Sequence, residues 1–208
     1  MIFSVKKKLL SGEHYSYPFS FIYKKKNTYF QKLKVILHNI YPIDNENNEK
    51  FTIRGLENKR IVDATFLENN GYWFLFFGEN YNANSVLNLW LSESPFGIFK
   101  PHPDTPIAIS PKFAQIGGRV IEAANRLVSF GQNNSGEYGE SLNVLEITKI
   151  SPTEYKEKIV GELTFESYKG PHGLSLNINS DLLLLDYYIN KFSLFAGFRR
   201  IKAKFNRK

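Results

Sequence analysis

The chain has 208 residues, no cysteine and a formal net charge of +7; 42% of its residues are hydrophobic and 15% aromatic, with 18 Phe and 12 Tyr. That length supports one domain with a sizeable core, and the apolar content excludes a disordered chain and favours a β-rich one. The lack of cysteine excludes disulfides, thiolate metal sites and a Cys nucleophile.

Much of the basic excess lies at the ends, in Lys6, Lys7 and Lys8 and in Arg199, Arg200, Lys202, Lys204, Arg207 and Lys208. Segments 1–12 and 199–208 read as solvated ends of a single domain spanning 1–208, or as contacts for nucleic acid or anionic lipid. No recognition-module motif accompanies the charge, so no specific nucleic-acid partner is expected. The opening MIFSVKKKLLSGEHY has no apolar stretch of signal-peptide length. No apolar run is long enough to span a bilayer, and a cytoplasmic chain is expected.

Helical periodicity is almost absent. The stretch HYSYPFSFIYKKKNTYFQKLKVILHNIYP predicts one hairpin turning between Lys24 and Asn27, and IDNENNEKF reads as an exposed loop. IVDATFLE and YWFLFFGE flank Asn69-Asn70-Gly71, an Asn-Gly hairpin signal. In VLNLWLSES, Leu87, Leu89 and Leu91 alternate with Asn88, Trp90 and Ser92. An extended segment follows, broken by Pro101, Pro103 and Pro106. GGRVIEAANRLVSFGQ predicts a second hairpin turning near Ala124-Asn125, after which SLNVLEITKI and EYKEKIVGEL complete the unit. GPHGLSLNINSDLLLLDYYI starts a third, with a turn at Asn179-Ser180-Asp181. Small antiparallel sheets recurring about every 50 residues imply propeller blades.

The segments IVDATFLENNGYWFLFF, LWLSESPFGIFKPHP, GGRVIEAANRLVSFGQNNSGEYGESLNVLEITKISPTEYKE and YKGPHGLSLN, in that order and spacing, resemble one family. It is the N-terminal domain of plant glucosamine inositolphosphorylceramide transferases and its bacterial, formyltransferase-associated relatives. That domain is itself similar to the five-bladed β-propellers of glycosyl hydrolase family 43. The resemblance covers residues 15–198. It implies an all-β, five-bladed propeller-like fold and a carbohydrate-active domain. A complete propeller of this kind takes about 300 residues at about 50 per blade, so an incomplete one of about four blades, lacking the first, is expected. Relatives tend to carry arginine where this chain has Gln115, and aspartate where it has Asn133.

The resemblance places Asp63 on an inner strand facing the central channel. There it would orient a sugar hydroxyl or tune a neighbouring acid; alternatively it is a structural aspartate bonded to backbone amides. Glu122 is the candidate second catalytic carboxylate, against the reading of an outward or salt-bridged glutamate. Arg119 and Glu122 are three residues apart, so on one strand they face opposite sides, and Arg119 is the better channel residue. His172, which opens the last blade, and His14, in EHYSYPF, are candidate sugar ligands or packed histidines. In the amide-rich GQNNSGEYG segment, Gln132, Asn133 and Tyr138 are candidate sugar contacts or parts of an ordinary loop. His102 reads as a loop residue. Trp73, Trp90, Phe76 and Phe77 read as inter-blade core rather than sugar platforms.

Glycoside hydrolysis needs two carboxylates at a set separation, and only Asp63 is secure from the sequence. No nucleophile elbow, P-loop or dinucleotide fingerprint is present. Four scattered histidines argue against zinc, and no cofactor is expected. The expected ligand is a glycan, glycolipid or nucleotide sugar, acted on or merely bound. The alternatives are a non-catalytic glycan-binding or scaffold module, and an inactive remnant that self-associates through exposed sheet edges.

Overall fold

The structure, a computed structural model, describes residues 19–23, 26–31, 39–42, 51–176 and 183–188. Among these residues every regular element is a strand. The first sheet runs β1 (Phe19–Tyr23), β2 (Lys26–Gln31), β3 (Asn39–Pro42) and β4 (Phe51–Thr52). The second contains β5 (Ile61–Asn69), β6 (Tyr72–Glu79), β7 (Val86–Ser92) and β8 (Lys100–Pro101), with β9 (Ala108–Ile109) also on β7. In the third, β10 (Gln115–Ile116) and β11 (Ile121–Ala123) both pair β12 (Arg126–Asn133), followed by β13 (Ser141–Ile150) and β14 (Tyr155–Leu163). The fourth is β15 (Leu174–Leu176) with β16 (Leu183–Leu185). All strand pairings are antiparallel. The four sheets are the blades of an incomplete propeller of the five-bladed type.

The hairpins follow from their turn residues. Asn70 and Gly71 have φ of 50° and 78°, as a two-residue turn between right-twisted strands requires. Ala124 and Asn125, at 49° and 60°, make the same turn without glycine. The predicted turns near Lys24 and near Asn179–Asp181 include residues outside those described, but the register that brackets them is present: Tyr23 faces Lys26 and Leu176 faces Leu183.

β6 carries three of the 18 phenylalanines. Successive side chains of a strand point to opposite faces, and both faces of β6 are buried. Trp73, Leu75 and Phe77 pack with Phe21 and Ile40 of the first sheet. Phe74 and Phe76 pack with Ile116, Ile147 and Tyr155 of the third. Each such ring contributes about 1.5–3 kcal/mol by leaving water. The aromatics read as core are therefore the inter-blade seam, with Trp90 packed at its margin.

His102 lies in the loop after β8, as expected, and is buried there at 1% exposed. Its Nδ1 accepts from the Asp104 amide at 3.1 Å, which makes Nε2 the protonated nitrogen that donates to the Ser151 carbonyl at 2.8 Å. Asp104 in turn accepts from the Tyr155 amide at 2.8 Å. This clasp fastens the second sheet to the third.

The third and fourth sheets meet at the paired glycines. The Leu174 amide donates to the Gly117 carbonyl at 2.6 Å. A Cβ on Gly118 would lie 2.7 Å from the Leu174 carbonyl oxygen, so only glycine permits this approach. Phe130, Leu142 and Leu174 bury the joint. No helix among the described residues is long and apolar enough to cross a membrane.

Candidate functional site

Asp63 sits at a break in the pairing of β5. Val62 opposes Gly78 and Thr65 opposes Phe76, so Asp63 and Ala64 together oppose Phe77. Asp63 has φ of 52°, the left-handed conformation that glycine takes most easily and that aspartate and asparagine tolerate. A bulge of this kind re-aims one side chain out of the ladder. Here it turns the carboxylate into a cavity of about 570 Å³ where the second, third and fourth sheets converge.

A chain of amides holds that carboxylate. The Gly139 amide donates to Asn134 Oδ1 at 2.7 Å, Asn134 Nδ2 donates to Gln115 Oε1 at 2.9 Å, and Gln115 Nε2 donates to Asp63 Oδ2 at 2.9 Å. Each amide has a defined orientation because its oxygen accepts from one neighbour and its nitrogen donates to the next. Gln115 is buried, and its side chain stands beside the Tyr138 hydroxyl. Burial raises the pKa of that hydroxyl; the nearby Gln115 amide opposes the rise, and the charges of Asp63 and Asp186 add to it. Tyr138 therefore feels carboxylates from two different blades.

The opposite wall comes from the fourth sheet. Asp186 Oδ1 accepts from the backbone amides of His172 at 3.1 Å and Gly173 at 2.6 Å. Its Oδ2 pairs with His172 Nδ1. The His172 ring lies between Tyr138, at 5.7 Å, and Tyr188, at 5.1 Å between centroids. Burial raises the Tyr188 hydroxyl above its ordinary range, with Tyr138 and Asp186 adding to the effect. Leu184 and Leu185 give the cavity an apolar side.

Gln132 completes the polar wall. It is 4% exposed, its Nε2 donates to the Ile116 carbonyl at 3.1 Å, and its Oε1 has no partner. That carbonyl fixes the amide orientation, because only the nitrogen can donate to it.

Asp63, Gln132, Tyr138 and His172 thus share one cavity. Asn133, one position beyond Gln132 on β12, faces away from it, as strand alternation requires. Its Oδ1 accepts from the Ser135 amide at 3.1 Å, and its Nδ2 contacts Glu162 at 3.4 Å. Arg119 lies between β10 and β11 and is not among the cavity residues. Glu122 is exposed on β11 opposite Leu127, whereas Gln115 stands opposite Gln132. Those partners are separated by about 17 Å along β12, at about 3.3 Å per residue, which puts Glu122 at the far end of the blade. The expectation of a second cavity carboxylate there is corrected: Asp186 occupies that role in space. His14 lies outside the described residues.

Asn134 and Asp186 are the site residues that sequence reasoning missed. Asn134 adjoins the singled-out Asn133 with the opposite orientation. Asp186 follows four leucines, a carboxylate at the end of an apolar run, whereas Asp63 sits inside one.

The sequence matches the family model described as "Glucosamine inositolphosphorylceramide transferase 1, N-terminal" over residues 7–176. The chain belongs to that family. Glucosamine inositolphosphorylceramide transferase 1 of Oryza sativa subsp. japonica is 30% identical over 169 residues, which are 76% of this chain and 22% of the relative. The Arabidopsis thaliana protein of the same name is 33% identical over 105 residues, 48% of this chain and 14% of that one. The chain thus spans about a fifth of the length of the rice relative. Among solved structures, an exo-1,5-alpha-L-arabinanase from a bovine ruminal metagenomic library superposes with a TM-score of 0.51 at 13% identity, covering 74% of this chain and 60% of that one. This likeness bears on the fold alone.

Proposed function

We propose that the chain is a carbohydrate-binding propeller domain that holds a sugar, free or as the head of a glycolipid, in the cavity between its second, third and fourth sheets. The observation that carries this reading is the oriented amide relay from Asn134 through Gln115 to Asp63, facing the partnerless oxygen of Gln132. Fixed amides and carboxylates pair with sugar hydroxyls, which both donate and accept. Leu184, Leu185 and the Tyr138 ring supply the apolar surface that covers a sugar face. The names of the plant relatives, which refer to glucosamine inositolphosphorylceramide, support the same class of ligand.

The test is thermal shift of the purified chain, wild type and Asp63→Asn, against neutral glycans, amino sugars and nucleotide sugars. Binding to the folded state raises the melting temperature. A shift with one sugar class that Asp63→Asn removes is the expected result. Absence of any shift across the panel overturns the proposal.

A second reading, glycoside turnover, is favoured by one observation: Asp63 and Asp186 approach the same cavity from different blades, and Tyr138 feels both. It predicts release of aryl alcohol from an aryl glycoside, lost in both Asp63→Asn and Asp186→Asn. Binding without release leaves the domain a recognition module.

A further inference from the structure

The net charge of this chain is concentrated in one place. Residues 189–208, which lie outside the described residues, hold seven of its 27 lysines and arginines and none of its 20 aspartates and glutamates. The rest of the chain therefore carries 20 charges of each sign, and the whole formal charge of +7 belongs to that segment. Its cations are interleaved with four phenylalanines, Phe192, Phe195, Phe198 and Phe205.

The described residues just before it form an exposed apolar surface. Leu183, Leu184 and Leu185 of β16 and the following Tyr187 and Tyr188 are between 38% and 57% exposed. Tyr168, also exposed, sets its ring 4.7 Å from that of Tyr187. A contiguous exposed patch of this kind marks a contact surface, and Leu184 and Leu185 also line the cavity. A chain spans at most about 3.6 Å per residue, so Lys191 lies within about 11 Å of Tyr188 and Arg199 within about 40 Å.

We propose that this chain docks on an anionic lipid bilayer, with the leucines and tyrosines of residues 183–188 at the acyl boundary and the cations of residues 189–208 on the headgroups. The cavity then opens beside the membrane. Docking does not depend on the sugar-binding reading above.

The charge and the patch select the same partner. Cations close to an anionic surface each add to the attraction, and apolar side chains that enter the interface add burial; firm attachment takes two such signals. Tyrosine rings suit the headgroup level, where one end is apolar and the other wet. A neutral bilayer buries leucine but offers nothing to seven cations. A nucleic acid meets the cations and stacks on aromatic rings, but it has no apolar phase to take up Leu183, Leu184 and Leu185. An anionic bilayer complements both.

The test is co-sedimentation of the 208-residue protein with vesicles of phosphatidylcholine, alone or mixed with an equal amount of phosphatidylglycerol. Neither lipid carries a sugar ring, so the result is separate from that of the sugar-binding test. At low salt the protein should partition at least about tenfold more strongly onto the anionic vesicles, and added salt should shrink the difference. Arg199→Gln, Arg200→Gln, Lys202→Gln and Lys204→Gln together should cut partitioning onto the anionic vesicles at least about tenfold. Leu183→Gln with Tyr187→Gln, both outside the cavity lining, should weaken it at least about threefold while lowering the melting temperature by no more than about 4 °C. Lys100→Gln, Lys112→Gln and Lys156→Gln, which remove exposed charges elsewhere on the chain, should leave it within about twofold. Equal partitioning onto both kinds of vesicle, or no loss on neutralising residues 199–204, overturns the proposal. A patch variant that partitions like wild type shows that charge acts alone, and one that melts much lower shows that these side chains pack inside the protein; either overturns the docking face. Displacement of the protein from anionic vesicles by a short DNA duplex assigns the basic segment to nucleic acid and also overturns the proposal.

Discussion

Replacing Asp63 with asparagine, glycine and alanine separates its backbone role from its charge. Alanine removes the acceptor of Gln115, which is 6% exposed and becomes a buried donor without that bond. A hydrogen bond to a charged group is worth about 1.5–3 kcal/mol. Alanine must also adopt φ of 52° without the local hydrogen bonding that favours aspartate there, so its total cost is about 2–4 kcal/mol. Glycine loses the same bond but occupies left-handed backbone without strain, and should be about 1 kcal/mol more stable than alanine. Asparagine tolerates the conformation and still accepts from Gln115, so it should lie within about 1 kcal/mol of wild type. Urea unfolding gives the ranking, and melting temperatures should spread by about 2–4 °C per kcal/mol for a chain of this size. Alanine matching or exceeding glycine would refute the strained bulge. Asparagine as damaging as alanine would refute the amide relay as the partner of Asp63.

The other predictions concern the blade seams and the cavity rim. His102→Ala leaves the Ser151 carbonyl and the Asp104 amide without their partner and opens a void; urea unfolding should show a loss of about 2–4 kcal/mol. Glu157 has its pKa raised by burial, against the hydrogen bond from the Tyr155 hydroxyl, which lowers it. A raised folded-state pKa means stability that is complete below the ordinary value of 4.5 and is lost as pH rises through the folded value. Glu157→Gln should therefore be more stable than wild type at neutral pH and lose that advantage below pH 4.5, as read from urea midpoints at both pH values. Gly139 has φ of 62°, and an added Cβ would collide with His172 Cβ. Gly139→Ala should cost at least about 1–2 kcal/mol in urea unfolding and weaken sugar binding measured by calorimetry.

The blades were legible because their signals are local. Asn70-Gly71 specifies its turn through backbone conformation, and YWFLFFGE, apolar on both faces, can only be a strand packed on two sides. Even Ala124-Asn125, with no glycine, was readable from the strands it joins. The site was legible only in part. Asp63 stood out as a carboxylate within an apolar run and His172 as the opening of the last blade, while Gln132 and Tyr138 were read from the amide-rich GQNNSGEYG segment. Strand parity set Arg119 and Glu122 on opposite sides and favoured Arg119 for the channel, but residues 117–120 lie between β10 and β11, so parity does not carry through them. Asp186 was missed because its role depends on where β16 meets the loop before β15, a contact between segments that periodicity does not locate. Asn134 was missed because the relay spans two blades.

The hydrogen bond between Gln115 and Asp63 joins the third sheet to the second, and the bond from Leu174 to Gly117 joins the fourth to the third. The cavity is therefore a property of seams, and no single blade contains it. A left-handed aspartate on an inner strand is unfavourable in isolation; the adjacent blade compensates by supplying a buried, oriented donor. The described residues of the first sheet contribute nothing to the cavity lining. They act through the core, where Phe21 and Ile40 pack with Trp73, Leu75 and Phe77 on one face of β6 while Phe74 and Phe76 on its other face hold the third sheet. β6 pairs directly with β5, which carries Asp63. Burial on both faces of one strand thus fixes the distance between Asp63 and the amides that orient it, and so couples the packing of an incomplete propeller to the geometry of its cavity.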